Sequence, residues 1–260
     1  MSLSSSNPLI DLQQAPQKPH RSLWYRTGLT IGIVAWTFLG FMLAQAIGLA
    51  ILAGLQAAGV SLEDANATTL STVTNIFVYC LAIAIIIGVP YLVKKRGTTL
   101  KDIGLDRLPR WKDFLWLLAG LVAYIILTLI VTSISMALFP QADYNEAQNT
   151  GFSGLANQFE FVLAFISLVI VAPVAEEVIF RGYLFGKLRK NAQVWISVLL
   201  TSALFAIAHF QFNVALDTFA LGVVLALLRV ASGSIWASIL LHMLKNGIAF
   251  YFLFVNPGIL

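Results

Sequence analysis

The sequence predicts an all-α fold, a polytopic membrane bundle of about seven transmembrane helices, and three observations lead to it. Hydrophobic residues make up 59% of the 260 residues and charged residues 11%, whereas a soluble domain is roughly 45–50% apolar and about 25% charged. Several long stretches of the chain contain no charged side chain. The basic residues fall on one side of the helices that those stretches predict. So few polar residues could not cover a globule in water, and a soluble domain is excluded.

The uncharged stretches place the individual helices. A membrane-spanning helix needs roughly 20 predominantly apolar residues to cross about 30 Å of hydrocarbon. The stretch 191–228 is too long for one span at ~1.5 Å per residue, so we divide it near Phe210–Asn213, where polar side chains interrupt the pattern. The predicted helices cover residues 28–53, 71–93, 114–138, 160–188, 193–210, 213–229 and 234–255. Only helices and closed barrels satisfy the backbone in lipid, and these stretches show no strand-like alternation.

Residues 1–26 precede the first predicted helix and are polar, with prolines at Pro8, Pro16 and Pro19. Because this composition is typical of a disordered segment, we predict a disordered cytoplasmic tail followed by one transmembrane domain over residues 27–260. The apolar stretch after the tail is too long for a signal peptide.

The positions of Lys and Arg predict the orientation of the bundle. Of the 16 Lys and Arg residues, 14 lie in the tail or at helix ends that share one side, and Arg181 and Lys245 lie inside helices. The opposite side carries acidic residues and no Lys or Arg. Because cytoplasmic loops are enriched in basic residues, we predict a multi-pass cell-membrane protein with its N-terminus in the cytoplasm and its C-terminus outside. The net charge of +4 then indicates the lipid bilayer as a partner, and no nucleic acid.

Ionisable residues inside the predicted helices are the candidates for a functional site, because such groups are costly in a bilayer and usually have a role there. All of them lie in the last four predicted helices. They are Glu176, Glu177, Arg181, His209, His242 and Lys245, with Asn246 as a neutral companion. The candidate chemistry is therefore confined to residues 160–255.

The two adjacent glutamates are expected to differ in role. Glu177 and Arg181 are four residues apart, so they share a helix face and can pair. Glu176 is rotated by about 100° from Glu177, has no local cationic partner, and suits a general base. The alternative is a pair that only neutralises itself, with Glu176 reaching toward water. Pro173 removes the hydrogen bond to the Val169 carbonyl and kinks the helix, which could open a polar cavity beside Glu176.

The histidines and Asn246 offer two kinds of chemistry. His242 and Asn246 lie on one helix face and could donate hydrogen bonds to one oxygen, while the glutamates and His209 could activate a water molecule. Alternatively, Glu176, His209 and His242 could bind a zinc ion. Spacing alone does not decide between these, because the residues come from different helices. Lys245 fits either a side chain that reaches toward the membrane surface or a counter-ion.

At these residues the sequence resembles the CPBP family of intramembrane proteases, also called the Abi or CAAX-protease family, which includes Ras-converting CAAX endopeptidases. The family has three motifs, EExxxR, FxxxH and HxxxN, and all three occur here in order. They match Glu176, Glu177 and Arg181; Phe205 and His209; and His242 and Asn246. The phrase LKDIGLDRLPR, before the third predicted helix, is also similar to the family's loop at that point.

The resemblance implies a cavity open to the cytoplasm, with Glu176 as the base that activates water and His209 as its partner. It assigns His242 and Asn246 to the oxyanion. Members are called metalloproteases, and a metal-free glutamate mechanism is also argued for them, so zinc stays open here.

The function that we predict is an intramembrane endopeptidase that hydrolyses a peptide bond in a peptide or protein substrate, a membrane-anchored one among the options. The alternative is a non-catalytic membrane protein, either an ion-coupled carrier or a scaffold or immunity protein, that uses the same carboxylates as a proton relay. A carrier is expected to show internal repeats and discontinuous helices in both halves. The sequence shows no repeat, and its first three predicted helices carry no Asp, Glu, Lys, Arg or His.

Overall fold

The computed structural model describes residues 22–62, 65–95, 97–146, 148–152 and 154–257. Most of the predicted disordered tail, residues 1–21, lies outside the described residues. The first helix, α1, runs from Leu23 to Ala57, so the last residues of the predicted tail are helical instead. Ser22 explains this earlier start, because its hydroxyl accepts a hydrogen bond from the Tyr25 N–H. A serine cap of this kind stabilises the first turn of a helix.

The described part of the chain contains seven long helices and no strand, which confirms the predicted all-α bundle. Six of the helices are long and apolar enough to cross a membrane. They are α1, α2 (Ala67–Val93), α3 (Trp111–Leu138), α4 (Gln158–Leu188), α6 (Phe212–Ser232) and α7 (Trp236–Val255). Helix α5 (Val194–Ile207) has 14 residues and extends about 21 Å at 1.5 Å per residue, which is too short to span the hydrocarbon.

The end of α5 differs from the prediction in a way that matters for the site. The predicted helix 193–210 includes His209, but α5 ends at Ile207, and His209 lies in the turn that follows. The reason is Phe210, whose φ of 53° is in the left-handed region that an α-helix cannot continue through. The predicted break near Phe210–Asn213 is thereby confirmed.

Helix α4 is irregular on both sides of its glutamates. It contains two π-helical segments, Ile166–Val171 and Val178–Leu184. The residues between them, Ala172–Glu177, keep α-helical geometry and carry both Glu176 and Glu177. π-Helical turns are rare and occur frequently at functional sites. The sequence predicts a kink at Pro173, and the structure has a π-helical segment directly before this proline.

Side-chain contacts define the two ends of the bundle. At one end the Arg26 Nε donates to the Asn191 carbonyl at 2.8 Å, which joins the start of α1 to the turn after α4. At the other end the Asn66 Nδ2 donates to Glu160 Oε1 at 2.8 Å, which joins the starts of α2 and α4. We call the first the basic end and the second the acidic end, since the loop Lys and Arg residues lie at the first.

The loop before α3 is attached to the basic end. Its single-turn helix, Leu100–Ile103, begins with a capping box between Thr99 and Asp102. The carboxyl of Asp102 also accepts from the Lys190 Nζ at 2.5 Å; this hydrogen bond, followed by those from Thr99, holds the pKa of the Asp102 carboxyl well below its ordinary value. Further along, the Ser234 Oγ donates to the Gly104 carbonyl at 2.7 Å. The loop is therefore bonded to the ends of α4 and α7.

Helices α4 and α6 form the centre of the bundle, and α4 carries the first motif. In the most apolar 18 residues of α4 and α6, 50% and 56% of the residues are buried. The corresponding shares in α1, α2 and α3 are 22%, 17% and 6%. The fully buried Leu184, Leu221 and Leu241 come from α4, α6 and α7 and share one core cluster. The first three helices therefore expose most of their apolar surface to lipid, and the residues of the three motifs lie in the interior.

Candidate active site

The first motif forms a buried ion pair. The Arg181 Nη1 donates to Glu177 Oε1 at 2.9 Å, and both side chains are fully buried. This confirms the pair that their four-residue spacing predicts. The guanidinium also needs space, which Gly222 of α6 supplies: a Cβ at that position would lie 3.2 Å from Arg181 Nη2 and 3.1 Å from the Ser202 Cα.

Phe205 connects the three motifs. Its ring lies under the Arg181 guanidinium, with 4.3 Å from Cζ to the ring centroid. The same ring meets the His209 ring at 5.0 Å and the His242 ring at 5.7 Å, both edge to face. A guanidinium over an aromatic face is attracted by the ring quadrupole, and more strongly where water is excluded. The sequence analysis gives Phe205 no role beyond membership of the motif.

His242 lies between the two glutamates. Its Nδ1 is 3.1 Å from Glu177 Oε1, and its Nε2 is 3.6 Å from Glu176 Oε2. Because the Glu177 carboxylate is an acceptor in its pair with Arg181, Nδ1 is the nitrogen that carries a proton toward it. The carboxylate of Glu177 thus fixes the orientation of the His242 ring, and Nε2 is directed to Glu176.

The other end of Glu176 is held by a residue that the sequence analysis missed. The hydroxyl of Tyr79, on α2, donates to Glu176 Oε1 at 2.5 Å. Tyr79 is neither charged nor a histidine, and the first three predicted helices carry no such residue that would have indicated a site there. A signal is nonetheless present, because Asn75 and Tyr79 lie four residues apart on one face of an apolar helix, and both line the cavity described below.

His209 is oriented by its own turn. Its Nδ1 is 2.8 Å from the Phe205 carbonyl oxygen. A carbonyl only accepts hydrogen bonds, so Nδ1 carries the proton and Nε2 is left as an acceptor. This arrangement suits a side chain that positions a water molecule by accepting one of its hydrogens.

Asn246 bonds to the irregular backbone of α4. Its Nδ2 donates to the Leu168 carbonyl at 2.9 Å. In a helix that carbonyl would accept from the N–H of residue 172 or, in π-helical spacing, of residue 173. The Ala172 N–H is bonded to the Ser167 carbonyl instead, and Pro173 has no N–H. Asn246 therefore supplies the donor that the proline cannot.

Lys245, adjacent to Asn246, is the counter-ion of Asp217. Its Nζ lies 2.9 Å from Asp217 Oδ2, and the Tyr124 hydroxyl donates to the other oxygen of the same carboxylate. Of the two alternatives left open by the sequence, the structure thus favours the ion pair.

One cavity of about 380 Å³ joins these groups. Its wall includes Glu176, His209, His242 and Asn246 together, contributed by α4, the turn after α5, and α7. The structure thus brings the predicted residues of all three motifs to one cavity, and it places Glu177 and Arg181 behind its wall. Such a convergence of a carboxylate, two imidazoles and an amide can activate a water molecule and stabilise an oxyanion.

The cavity opens in a direction that the sequence analysis did not expect. Its wall also includes residues 148–151 of the α3–α4 loop, which lies at the acidic end. A cytoplasmic N-terminus places this end outside, whereas the family resemblance implies a cavity open to the cytoplasm. In this fold the two expectations are incompatible with each other.

The candidate zinc ligands are Glu176, His209 and His242. In the described ranges no group of three His, Cys, Asp or Glu side chains lies close enough together to hold a metal ion. Moreover, the two ring nitrogens of His242 face Glu177 and Glu176, and His209 Nδ1 is bonded to a carbonyl. The candidate ligands Glu176, His209 and His242 are therefore not arranged as zinc ligands here.

Comparison with known proteins identifies similar sequences. Residues 158–248 match the family model described as type II CAAX prenyl endopeptidase Rce1-like. The chain is 30% identical to the putative membrane peptidase YdiL of Bacillus subtilis, over 65% of this chain and 66% of that protein. It is 30% identical to the membrane-embedded CAAX protease MroQ of Staphylococcus aureus, over 40% and 43%. An uncharacterized 24.3 kDa protein of Escherichia coli is 33% identical over 32% and 41%.

The region of similarity covers between 41% and 66% of the length of these three relatives. No solved structure matches the chain.

Proposed function

We propose that the protein is an intramembrane endopeptidase with Glu176 as its general base, because its motif-bearing core, residues 158–248, matches the Rce1-like family model of type II CAAX prenyl endopeptidases. One observation carries this proposal. Glu176, His209, His242 and Asn246, from separate elements, line one cavity. Its volume of about 380 Å³ is within the range of small-molecule pockets, large enough for a short stretch of peptide.

The first step would be attack by water. Glu176 removes a proton from the water molecule as its oxygen bonds to the carbonyl carbon of the substrate, and a tetrahedral oxyanion forms. Tyr79 holds one carboxylate oxygen at 2.5 Å, so the other is available for the proton. His209, with Nε2 as an acceptor, would orient the same water molecule.

The oxyanion would be stabilised from α7. An amide nitrogen carries two N–H groups; Asn246 gives one to the Leu168 carbonyl and would give the second to the oxyanion. His242 would be the other donor through Nε2, in its imidazolium form with Nδ1 still donating to Glu177. In the second step the C–N bond breaks, and Glu176 returns its proton to the leaving amine.

Glu177 and Arg181 would act through other residues. Glu177 orients His242 through Nδ1 at 3.1 Å, and Arg181 neutralises Glu177 at 2.9 Å. They are positioning residues in this mechanism, because neither lines the cavity. The substrate would be a peptide or protein, and a membrane-anchored substrate remains one option.

The test is mass spectrometry of cleavage products from membranes that carry the wild-type chain or Glu176→Gln. Glutamine keeps the shape of the side chain but cannot take the proton, so we expect the products to disappear while the yield of folded protein stays unchanged. Cys80→Ala, at an exposed position outside the site, is the matched control and should cleave like the wild type.

Identical products from wild type and Glu176→Gln would contradict the proposal and would favour the carrier or scaffold alternative. A parallel arm with a chelator, followed by added zinc, tests metal dependence: the mechanism above predicts that chelation leaves the products unchanged.

A further inference from the structure

We propose that the catalytic cavity receives its peptide from the extracytoplasmic side, and that the cytoplasmic end of the bundle is closed. This inference rests on the proposed function and adds the side of entry and the class of substrate. It follows from three observations: where the cavity opens, what closes the opposite end, and where the basic residues lie.

The open side of the cavity is the acidic end. Gln148, Asn149 and Gly151 are exposed and line the cavity, whereas Glu176 is only 8% exposed. The cavity therefore leads from an exposed loop to a buried carboxylate. The loop is held in place by the turn after α5, because the Gln211 side chain accepts from the Asn149 N–H at 3.3 Å.

On the opposite side of Glu176, toward the basic end, buried side chains fill the space between the helices. The last turns of α4 point into the core, and Ile179, Leu184 and Leu188 are fully buried. The loop before α3 covers these turns: a Cβ on Gly182 would lie 2.5 Å from Ile103 Cγ2, and a Cβ on Gly186 would lie 3.0 Å from the Asp102 carbonyl. The loop therefore packs directly against α4 at both glycines.

The charge distribution then identifies the two sides. Of the 16 Lys and Arg residues, 14 belong to the tail and to helix ends at the basic end, and the loops at the acidic end carry none. Such a bias is the strongest sequence determinant of membrane orientation. The closed end is accordingly cytoplasmic and the open end extracytoplasmic, in place of the cytoplasm-facing cavity that the family resemblance implies.

The lining near the entrance suggests what it accepts. Its polar side chains are neutral amides and one hydroxyl, Gln45, Asn75, Gln148, Asn149 and Thr150, and the nearby ammonium of Lys245 is already paired with Asp217. Amides both donate and accept hydrogen bonds, as a peptide backbone does. The substrate class that fits is an extended, uncharged polypeptide segment on the outer side of the membrane.

Cysteine accessibility tests the entry side. Three single-cysteine variants are made in a Cys80→Ala background of the full chain: Asn149→Cys at the rim, Ala172→Cys in the cavity wall, and Lys101→Cys at the basic end as the matched control. Intact bacterial cells that express each variant are treated with a small membrane-impermeant thiol reagent, before and after permeabilisation. We expect the rim and wall cysteines to be labelled in intact cells, and the Lys101→Cys variant only after permeabilisation.

Each other outcome overturns the inference. Labelling of Lys101→Cys in intact cells would show that the orientation is reversed. Labelling of Asn149→Cys but not of Ala172→Cys in intact cells would show that the cavity is not entered from that side. Labelling does not depend on catalysis, so repeating it in Glu176→Gln separates this inference from the proposed function, which fails only if that variant still cleaves.

Discussion

At the scale of single residues, Phe205 explains why the second motif contains an aromatic residue. Its face receives the Arg181 guanidinium, and its ring lies edge to face with the rings of His209 and His242. A cation over an aromatic face contributes about 2 kcal/mol or more when water is excluded. Two guanidinium nitrogens of Arg181, Nε and Nη2, have no hydrogen-bond partner among the described residues, so the ring is the main source of stabilisation on that side.

The Glu177–Arg181 pair gives the first residue-scale prediction. Arg181→Ala leaves a buried carboxylate without its cation, which costs roughly 3–5 kcal/mol, so we expect a lower yield and a clearly lower Tm of the purified protein. The double variant Glu177→Leu/Arg181→Met removes both charges and keeps apolar volume, a change that is often neutral or stabilising. Its Tm should return to near the wild-type value.

The double variant should still fail to cleave, because His242 Nδ1 has lost the carboxylate that orients it. This separates folding from function in one pair of proteins. A normal Tm for Arg181→Ala, or wild-type cleavage by the double variant, would contradict the roles given to the pair.

Sequence distance decides which residue contacts could be predicted. Glu177 and Arg181 are four residues apart, and local helix geometry alone brings them together. The contacts from Tyr79 to Glu176 and from His242 to Glu177 join residues 97 and 65 positions apart. They depend on how α2, α4 and α7 pack, which no spacing rule contains. The sequence therefore identified most of the candidate residues but not the partners that orient them.

At the scale of elements, Asn246 of α7 compensates for Pro173 of α4. The proline removes a backbone donor within α4, and the amide from α7 replaces it at the Leu168 carbonyl, at 2.9 Å. The third motif therefore also joins α7 to the irregular part of α4, in addition to any contact with substrate.

Combining substitutions separates the two roles of Asn246. Asn246→Ala should lower the Tm, because leaving a carbonyl without its donor costs roughly 1–3 kcal/mol, and should reduce cleavage by about 10²–10³-fold through loss of one oxyanion donor. Adding Pro173→Ala restores a backbone N–H in α4. We expect the Asn246→Ala/Pro173→Ala variant to recover Tm but not cleavage.

Thermal unfolding and product quantification on the same preparations test this prediction. Pro173→Ala alone is the control, and it should cleave. Recovery of both Tm and cleavage in the double variant would mean that Asn246 acts only through the backbone of α4.

The irregular geometry of the helices was beyond sequence analysis. Apolar runs predicted the positions of all seven helices, and six of them are long and apolar enough to span a membrane. The π-helical segments in α4 leave no such mark, since a helix that is apolar on all sides has no periodicity from which a change of register could be seen. The early end of α5 depends on the left-handed Phe210, a residue that seldom adopts this conformation.

At the scale of the whole molecule, the cavity reaches an exposed loop at the acidic end, and the loop before α3 packs over α4 at the basic end. The sequence contained both the charge bias and the motifs, but neither says at which end a cavity between helices opens. That depends on the loop before α3, which covers the end of α4 through Asp102 and Ile103. Access and orientation are thus properties of the assembled fold.

The contact between Gly182 and Ile103 allows the closed end to be tested by itself. Gly182→Ala places a methyl group 2.5 Å from Ile103 Cγ2 and 3.4 Å from the Ile103 backbone oxygen, so the loop has to move. Overpacking of this kind typically costs about 1–3 kcal/mol, so we expect a lower Tm. Gly247→Ala is the matched control, because its new methyl group meets Val169 at an ordinary 3.6 Å.

Adding Ile103→Ala to Gly182→Ala removes the colliding methyl group, so the double variant should have nearly the Tm of Ile103→Ala alone, which itself loses some buried apolar surface. If the peptide enters from the acidic end, this double variant should also cleave at the wild-type rate, because neither residue lines the cavity or its entrance. A double variant that regains Tm but loses cleavage would assign the loop before α3 to the reaction and would contradict a purely closing role. The outcome therefore decides whether the loop at the basic end only closes the bundle, since stability and cleavage are measured on the same protein.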